Sequence, residues 1–175
     1  SIGFKMNGPL AILYLAASLS DMKLSDCPTG CLAEAEVPSR VSIRVAKVEF
    51  QREIIGDEVY VGYDWGKTYG PFQPTIGVSA NDQNALWIGA GTKWTSTDLL
   101  GGPIFLEASF MPGFLTKGDG PDIGGAFHFR SSLGVGYEFD NGATILASYD
   151  HRSNGDLREL NPGLETIGVR FAFPF

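Results

Sequence analysis

The feature that most constrains this chain is a period of two. Over residues 127–139 the odd positions are Phe127, Phe129, Ser131, Leu133, Val135, Tyr137 and Phe139. The even ones are His128, Arg130, Ser132, Gly134, Gly136 and Glu138. Successive side chains of a strand point to opposite faces, so this segment has one apolar face and one polar or small face. A soluble strand averages ~5–6 residues and a membrane-crossing one ~9–11, and this run is longer than both.

The pattern recurs along the chain. Ala143, Ile145, Ala147 and Tyr149 oppose Thr144, Ser148, Asp150 and Arg152, with Leu146 the exception. Ile167, Val169, Phe171, Phe173 and Phe175 oppose Thr166, Gly168, Arg170, Ala172 and Pro174. Val59, Val61, Tyr63 and Trp65 oppose Glu58, Tyr60, Gly62 and Asp64. Further candidate strands at 41–51, 71–80, 84–95 and 102–113 bring the total to eight. Asp140-Asn141-Gly142 predicts a tight hairpin, because both central residues of that turn take positive φ. The stretches 117–125 and 154–163 predict long polar loops.

Short turns on one rim, long loops on the other and aromatics at alternate positions up to Phe175 predict one all-β domain over residues 41–175. Its architecture is an eight-stranded antiparallel transmembrane β-barrel of outer-membrane type. A soluble barrel or sandwich with the apolar faces turned inward has the same period, and period alone does not choose between them.

The rest of the composition narrows the partners. A net charge of −7 argues against nucleic acid, which asks for a basic face. The mean hydropathy of +0.01 suits a barrel that gives lipid only alternate residues. Residues 1–40 read as an export signal plus spacer, with the apolar core Leu10-Ala-Ile-Leu-Tyr-Leu-Ala-Ala-Ser18 behind Lys5. The alternative is an N-terminal helix that stays in the mature protein. Cys27 and Cys31 stand alone, leaving a local disulfide, two free thiols or a stretch lost in maturation all open. A metal site would need ligands beyond these two, and neither His128 nor His151 is near them in sequence.

Residues with chemistry gather near the C-terminus. His151 and Ser153 lie two apart at a strand end, so both side chains leave one face. Glu165 opens the next strand, and a hairpin through 154–163 brings it alongside His151. A serine hydroxyl becomes a nucleophile when a base takes its proton, which His151 can do, and Glu165 can hold the imidazole tautomer. Asn154 can offer its side chain or N–H to a developing oxyanion, a contribution of ~3–4 kcal/mol in hydrolases. His151 and Ser153 share parity with Ile145, Ala147 and Tyr149, and Glu165 with Ile167 and Val169. If those rows face lipid, the site lies on the outside of the barrel. Glu165 is ten residues from Phe175. At ~3.3 Å rise and ~40° tilt that is ~25 Å, the height of the whole apolar band. The reading without catalysis is a polar strand end followed by an Asn161-Pro-Gly163 turn.

These residues resemble the PagL-type lipid A 3-O-deacylases, outer-membrane barrels with a His-x-Ser-Asn string and a glutamate in the last strand. The likeness runs over 42–175. It is strongest over Phe129-Arg-Ser-Ser-Leu-Gly-Val-Gly-Tyr137, Asp140-Asn-Gly142 and 151–169, and the fourteen-residue step from His151 to Glu165 matches the family's spacing. The resemblance implies Ser153 as nucleophile, His151 as general base, Glu165 as its orienting carboxylate, Asn154 as oxyanion donor and Asn161 as a loop-shaping residue. It implies hydrolysis of the ester-linked 3-hydroxyacyl chain at position 3 of lipid A in the outer membrane, with neither metal nor cofactor.

Gly155-Asp156 stands where the family often has Ala-Gly, so Asp156 adds a charge near the oxyanion region. The segment with Cys27 and Cys31 has no counterpart in the family. Arg152, Arg158 and Arg170 are candidates to meet lipid A phosphates, but Arg152 and Arg170 fall on lumen parity. The competing functions are a non-catalytic outer-membrane barrel that is structural or only binds lipid, and a soluble ligand-carrying barrel.

Overall fold

The computed structural model describes residues 8–175. Helix α1 (Pro9–Asp21) continues into a π-helical turn, Met22–Asp26. Then follow β1 (Glu34–Glu36), β2 (Arg40–Phe50), β3 (Glu53–Asp64), β4 (Lys67–Tyr69), β5 (Gln73–Asn81) and β6 (Leu86–Thr95). The short helix α2 (Thr97–Leu100) leads to β7 (Ile104–Thr116), β8 (Phe127–Glu138), β9 (Thr144–Ser153) and β10 (Leu164–Pro174). Eight strands close a barrel in the order β10-β2-β3-β5-β6-β7-β8-β9, each neighbouring pair antiparallel. The other two, β1 and β4, form a small ribbon at the terminal rim.

Side-chain burial decides which face is out. Val45, Ile88, Val135 and Ile167 are 52–59% exposed, whereas Arg44, Glu58, Lys93, Arg130 and Asp150 are at most 5% exposed. Charges inside and aliphatics outside reverse the order of a soluble barrel, so the outer face is built for lipid. The lumen is filled. Arg130 reaches Glu58 at 3.1 Å and Asp150 at 2.7 Å, and its guanidinium lies 4.8 Å from the Tyr60 ring centre and 5.1 Å from that of Trp87. Arg152 reaches Glu58 at 2.9 Å, and Arg170 reaches Glu107 at 2.6 Å. Glycines on lumen parity make the room. A Cβ at Gly77 would run into the Tyr60 ring, and one at Gly89 into the Trp87 ring. Nearer the loop end, Val48, Trp87, Met111, Leu115, Ile123 and Leu164 form an apolar core inside the barrel.

Aromatic rings border the apolar band at both ends. Tyr63 packs on Trp65 and Phe175, and Tyr137 on Phe139, at the terminal rim. Phe127 packs on Phe114 and Phe129 toward the loop rim. Such girdles mark the interfaces of an outer-membrane barrel.

Two local expectations change. β3 begins at Glu53, earlier than its alternation suggested, because the turn before it is only Gln51-Arg52, both with positive φ (51° and 71°). A register shift between Val48 and Glu49 breaks the period there and hid the strand's start. The contrast between rims is also partial. The loop rim carries 117–126 and 154–163, but also the tight 51–52 and 82–85 connections. The opposite rim carries the longer 65–72 link because β4 there pairs with β1.

The N-terminal apolar stretch is α1, laid on the outer wall over β6, β7 and β8. Of the three readings of the cysteines, the structure has the local disulfide, Cys27–Cys31.

Candidate active site

β9 brings His151 and Ser153 to the loop end of the barrel, both on outward parity. The antiparallel register sets Ser131 of β8 opposite His151 on one side and Glu165 of β10 opposite it on the other. His151 Nδ1–H donates to Glu165 Oε1 over 2.9 Å. A neutral imidazole held this way carries its lone pair on Nε2, the nitrogen a serine base uses. Ser153 leaves the same face two residues on, beside Phe129. Though they face outward, His151 and Ser153 are only 4% and 3% exposed.

The connection 154–163 is held by its own polar side chains. The Asn154 N–H donates to Asn161 Oδ1 (3.0 Å), and Asn161 Nδ2 donates to Asp156 Oδ1 (2.9 Å). Asn154 Nδ2 donates to Leu160 O (2.7 Å) and Gly124 O (3.0 Å), which fastens this loop to the neighbouring 117–126 loop. His128, fully buried, places Nδ1 3.1 Å from Ala126 O and Nε2 3.3 Å from Ile123 O, holding the second loop from below. Gly155 and Asp156 (φ 65° and 62°) are the centre of a turn closed by Leu157 N–H to Asn154 O at 3.2 Å. Two successive positive φ values make it a type I′ geometry, which Gly and Asp tolerate.

The residues picked from sequence, His151, Ser153, Asn154, Asn161 and Glu165, all fall in this one corner. Asn154 differs from expectation. Its backbone N–H is engaged by Asn161, and its side-chain amide lies within bonding distance of the carbonyls of Ile123, Gly124 and Leu160, so it ties the two loops together. Asp156, expected as an added charge near the oxyanion region, has a carboxylate oxygen bonded to Asn161.

Sequence reasoning missed Gly163, read only as part of a turn. Its φ is +80°, and a Cβ there would stand 2.7 Å from His151 Cε1. It also missed the inner support. Asp150 and Arg152, on either side of His151, point into the lumen and are tied to Arg130 and Glu58. Arg152 and Arg170 are therefore unavailable to an outside ligand, as their parity indicated.

A closed, lipid-faced, lumen-filled barrel of eight antiparallel strands is an outer-membrane β-barrel. Residues 55–174 match the family description Lipid A 3-O-deacylase (PagL). The chain belongs to that family. Over 53 residues it is 34% identical to the Lipid A deacylase PagL of Bordetella bronchiseptica (strain ATCC BAA-588 / NCTC 13252 / RB50), a match covering 30% of each protein. The chain thus spans less than a third of that curated relative in the match. Its fold is similar to the crystal structure of the outer membrane enzyme PagL, with a TM-score of 0.64 and 20% identity over 78% of this chain and 99% of that one. It is also similar to the crystal structure of Neisserial surface protein A, with a TM-score of 0.55 and 12% identity over 82% and 99%.

Proposed function

We propose that this chain is a serine esterase of the outer membrane that removes the ester-linked 3-hydroxyacyl chain from position 3 of lipid A. The observation that carries the reading is the 2.9 Å bond from His151 Nδ1 to Glu165 Oε1, outside the barrel, on the face that Ser153 shares. Family membership supplies the substrate class.

In this reading Ser153 Oγ attacks the ester carbonyl while His151 Nε2 takes its proton. Glu165 stabilises the imidazolium that forms. Collapse of the tetrahedral adduct breaks the ester C–O bond, and His151 returns the proton to the sugar oxygen. Water, activated by His151 in turn, then hydrolyses the acyl-serine and releases the free fatty acid.

The depth fits the substrate. Outward residues of β2 run Val41, Ile43, Val45, then Lys47 and Glu49, and Lys47 pairs with Asp57 at 2.5 Å on the outer wall. On β10 the apolar row Phe173, Phe171, Val169 and Ile167 ends at Glu165. The apolar band stops at the level of the site, where a polar group costs ~0–1 kcal/mol against ~2–4 at the midplane. An acyl ester beside a lipid headgroup lies at that level.

The test is mass spectrometry of lipid A from cells that express the protein. Loss of one 3-hydroxyacyl chain, abolished by Ser153→Ala, is the expected result. An unchanged profile in a lipid A that carries the 3-O-acyl ester sinks the reading and leaves a barrel that at most binds lipid.

A further inference from the structure

Helix α1 has its polarity inside out. Its seam, Leu10, Tyr14, Ser18 and Asp21, is buried against the barrel, while Ile12, Leu13, Leu15 and Leu19 face away and are 47–65% exposed. The seam makes specific polar contacts with outward residues of β6. The Tyr14 hydroxyl bonds to that of Thr92, and Trp94 Nε1–H donates to Asp21 Oδ2 at 2.8 Å. Trp94 and Ala108 are only 7% and 2% exposed although they face outward, and Phe110 and Leu133 pack on the same cluster. Without the helix, the Thr92 hydroxyl would face hydrocarbon unpaired, which costs several kcal/mol. Of the two readings of this segment, the retained helix is the one its contacts favour.

The helix stands on the path leading from Ser153 into the bilayer. Glu165, His151, Ser131, Phe110 and Thr92 form one row across neighbouring strands. They lie one, two, four, six and six residues from the loop-side ends of their strands. The row therefore sinks away from the rim on its way to the helix, as strands tilted ~35–45° require. An acyl chain hanging from Ser153 along the membrane normal leaves β9 and passes over Leu133 of β8 toward Ala108 of β7. Leu133, opposite Tyr149, is about 14 Å from Ser153 by strand rise and spacing, and there the chain meets the residues that Tyr14 covers.

We propose that α1 is the end wall of the acyl channel and limits the length of chain that the esterase accepts. The inference rests on Ser153 as the reacting residue. The experiment uses the full-length protein in outer-membrane vesicles. The probes are lipid A preparations bearing 3-O-linked 3-hydroxydecanoyl, 3-hydroxydodecanoyl or 3-hydroxytetradecanoyl chains. The variant Thr92→Val with Trp94→Phe removes both barrel-side anchors and touches none of the reacting groups. The wild type should favour the shorter chains. In the variant, kcat/KM for the longest chain relative to the shortest should rise by about tenfold, since one or two methylenes in a closed pocket are discriminated by that much. An unchanged ratio in a variant whose residues 9–21 have become protease-sensitive overturns the proposal.

A second measurement does not depend on turnover. A lipid A whose 3-O-acyl chain ends in a diazirine is photolysed on the Ser153→Ala protein. Crosslinks at Leu10 or Tyr14 support the wall. Crosslinks confined to barrel strands, or a membrane-isolated protein lacking residues 9–21, overturn it. Crosslinks on α1 with no hydrolysis by the wild type would separate failure of the esterase reading from failure of this one.

Discussion

At the scale of single residues, the candidate chemistry depends on a few atoms held at the loop end of β9 and β10. Ser153→Ala should lower kcat by at least about 10³-fold while leaving the folded barrel intact, as removal of one member of a cooperating set does in serine hydrolases. Glu165→Gln keeps the shape but replaces the carboxylate that accepts from His151 Nδ1. A drop in kcat of about 10⁴-fold with little change in KM is expected, through the wrong tautomer. Steady-state kinetics on purified lipid A, with unheated gel mobility as the folding control, checks both. Gly163→Ala is the sharper test of geometry. Its Cβ would press on His151 Cε1 at a backbone position with φ +80°. Displacing the imidazole by part of an ångström should cost about 10²-fold in kcat. An active Gly163→Ala enzyme would remove His151 from the mechanism. The residue scale is also where reading from sequence was least complete. His151, Ser153 and Glu165 announce their chemistry by type and spacing, but a glycine in a turn says nothing of the ring it accommodates.

At the scale of elements, the loops over the site behave as a fastened pair. Asn154 Nδ2 bridges 154–163 to 117–126, and His128 braces the second loop. Asn154→Ala leaves the carbonyls of Gly124 and Leu160 without that donor, a penalty of about 1–3 kcal/mol for each buried group left unpaired. The expected outcome is faster proteolysis within 117–126 and 154–163, with the strands still protected, and a loss of activity that follows the loosening. Equal protease resistance in the variant would disprove the fastening. The strands themselves were legible because their period is set by backbone geometry. The start of β3 was not, since a bulge shifts parity and two non-glycine residues make the turn before it.

At the scale of the whole molecule, stability rests on a charged lumen within an apolar shell. Glu58, Asp150, Arg44, Arg130 and Arg152 form one linked group, each at most 5% exposed. Arg130→Met would leave the carboxylates of Glu58 and Asp150 short of a partner in a dry interior, a cost of about 3–5 kcal/mol. The temperature at which the compact gel band converts to the unfolded one should fall markedly. It should respond little to added salt, because these pairs are shielded from solvent ions. A variant that melts with the parent protein would contradict the network.

The sequence by itself determined the barrel strands, their number and which residues are candidates for the site, because alternation and residue type are local properties; the small β1–β4 ribbon it did not show. Only the tertiary structure decided which face meets lipid, because a period of two is the same whichever way the sheet closes. It also decided the part of Asn154, whose side-chain amide bridges Leu160 O in its own loop and Gly124 O in a loop thirty residues away. The place of α1 is likewise tertiary, since its polar seam makes sense only against Thr92 and Trp94 on the outer wall.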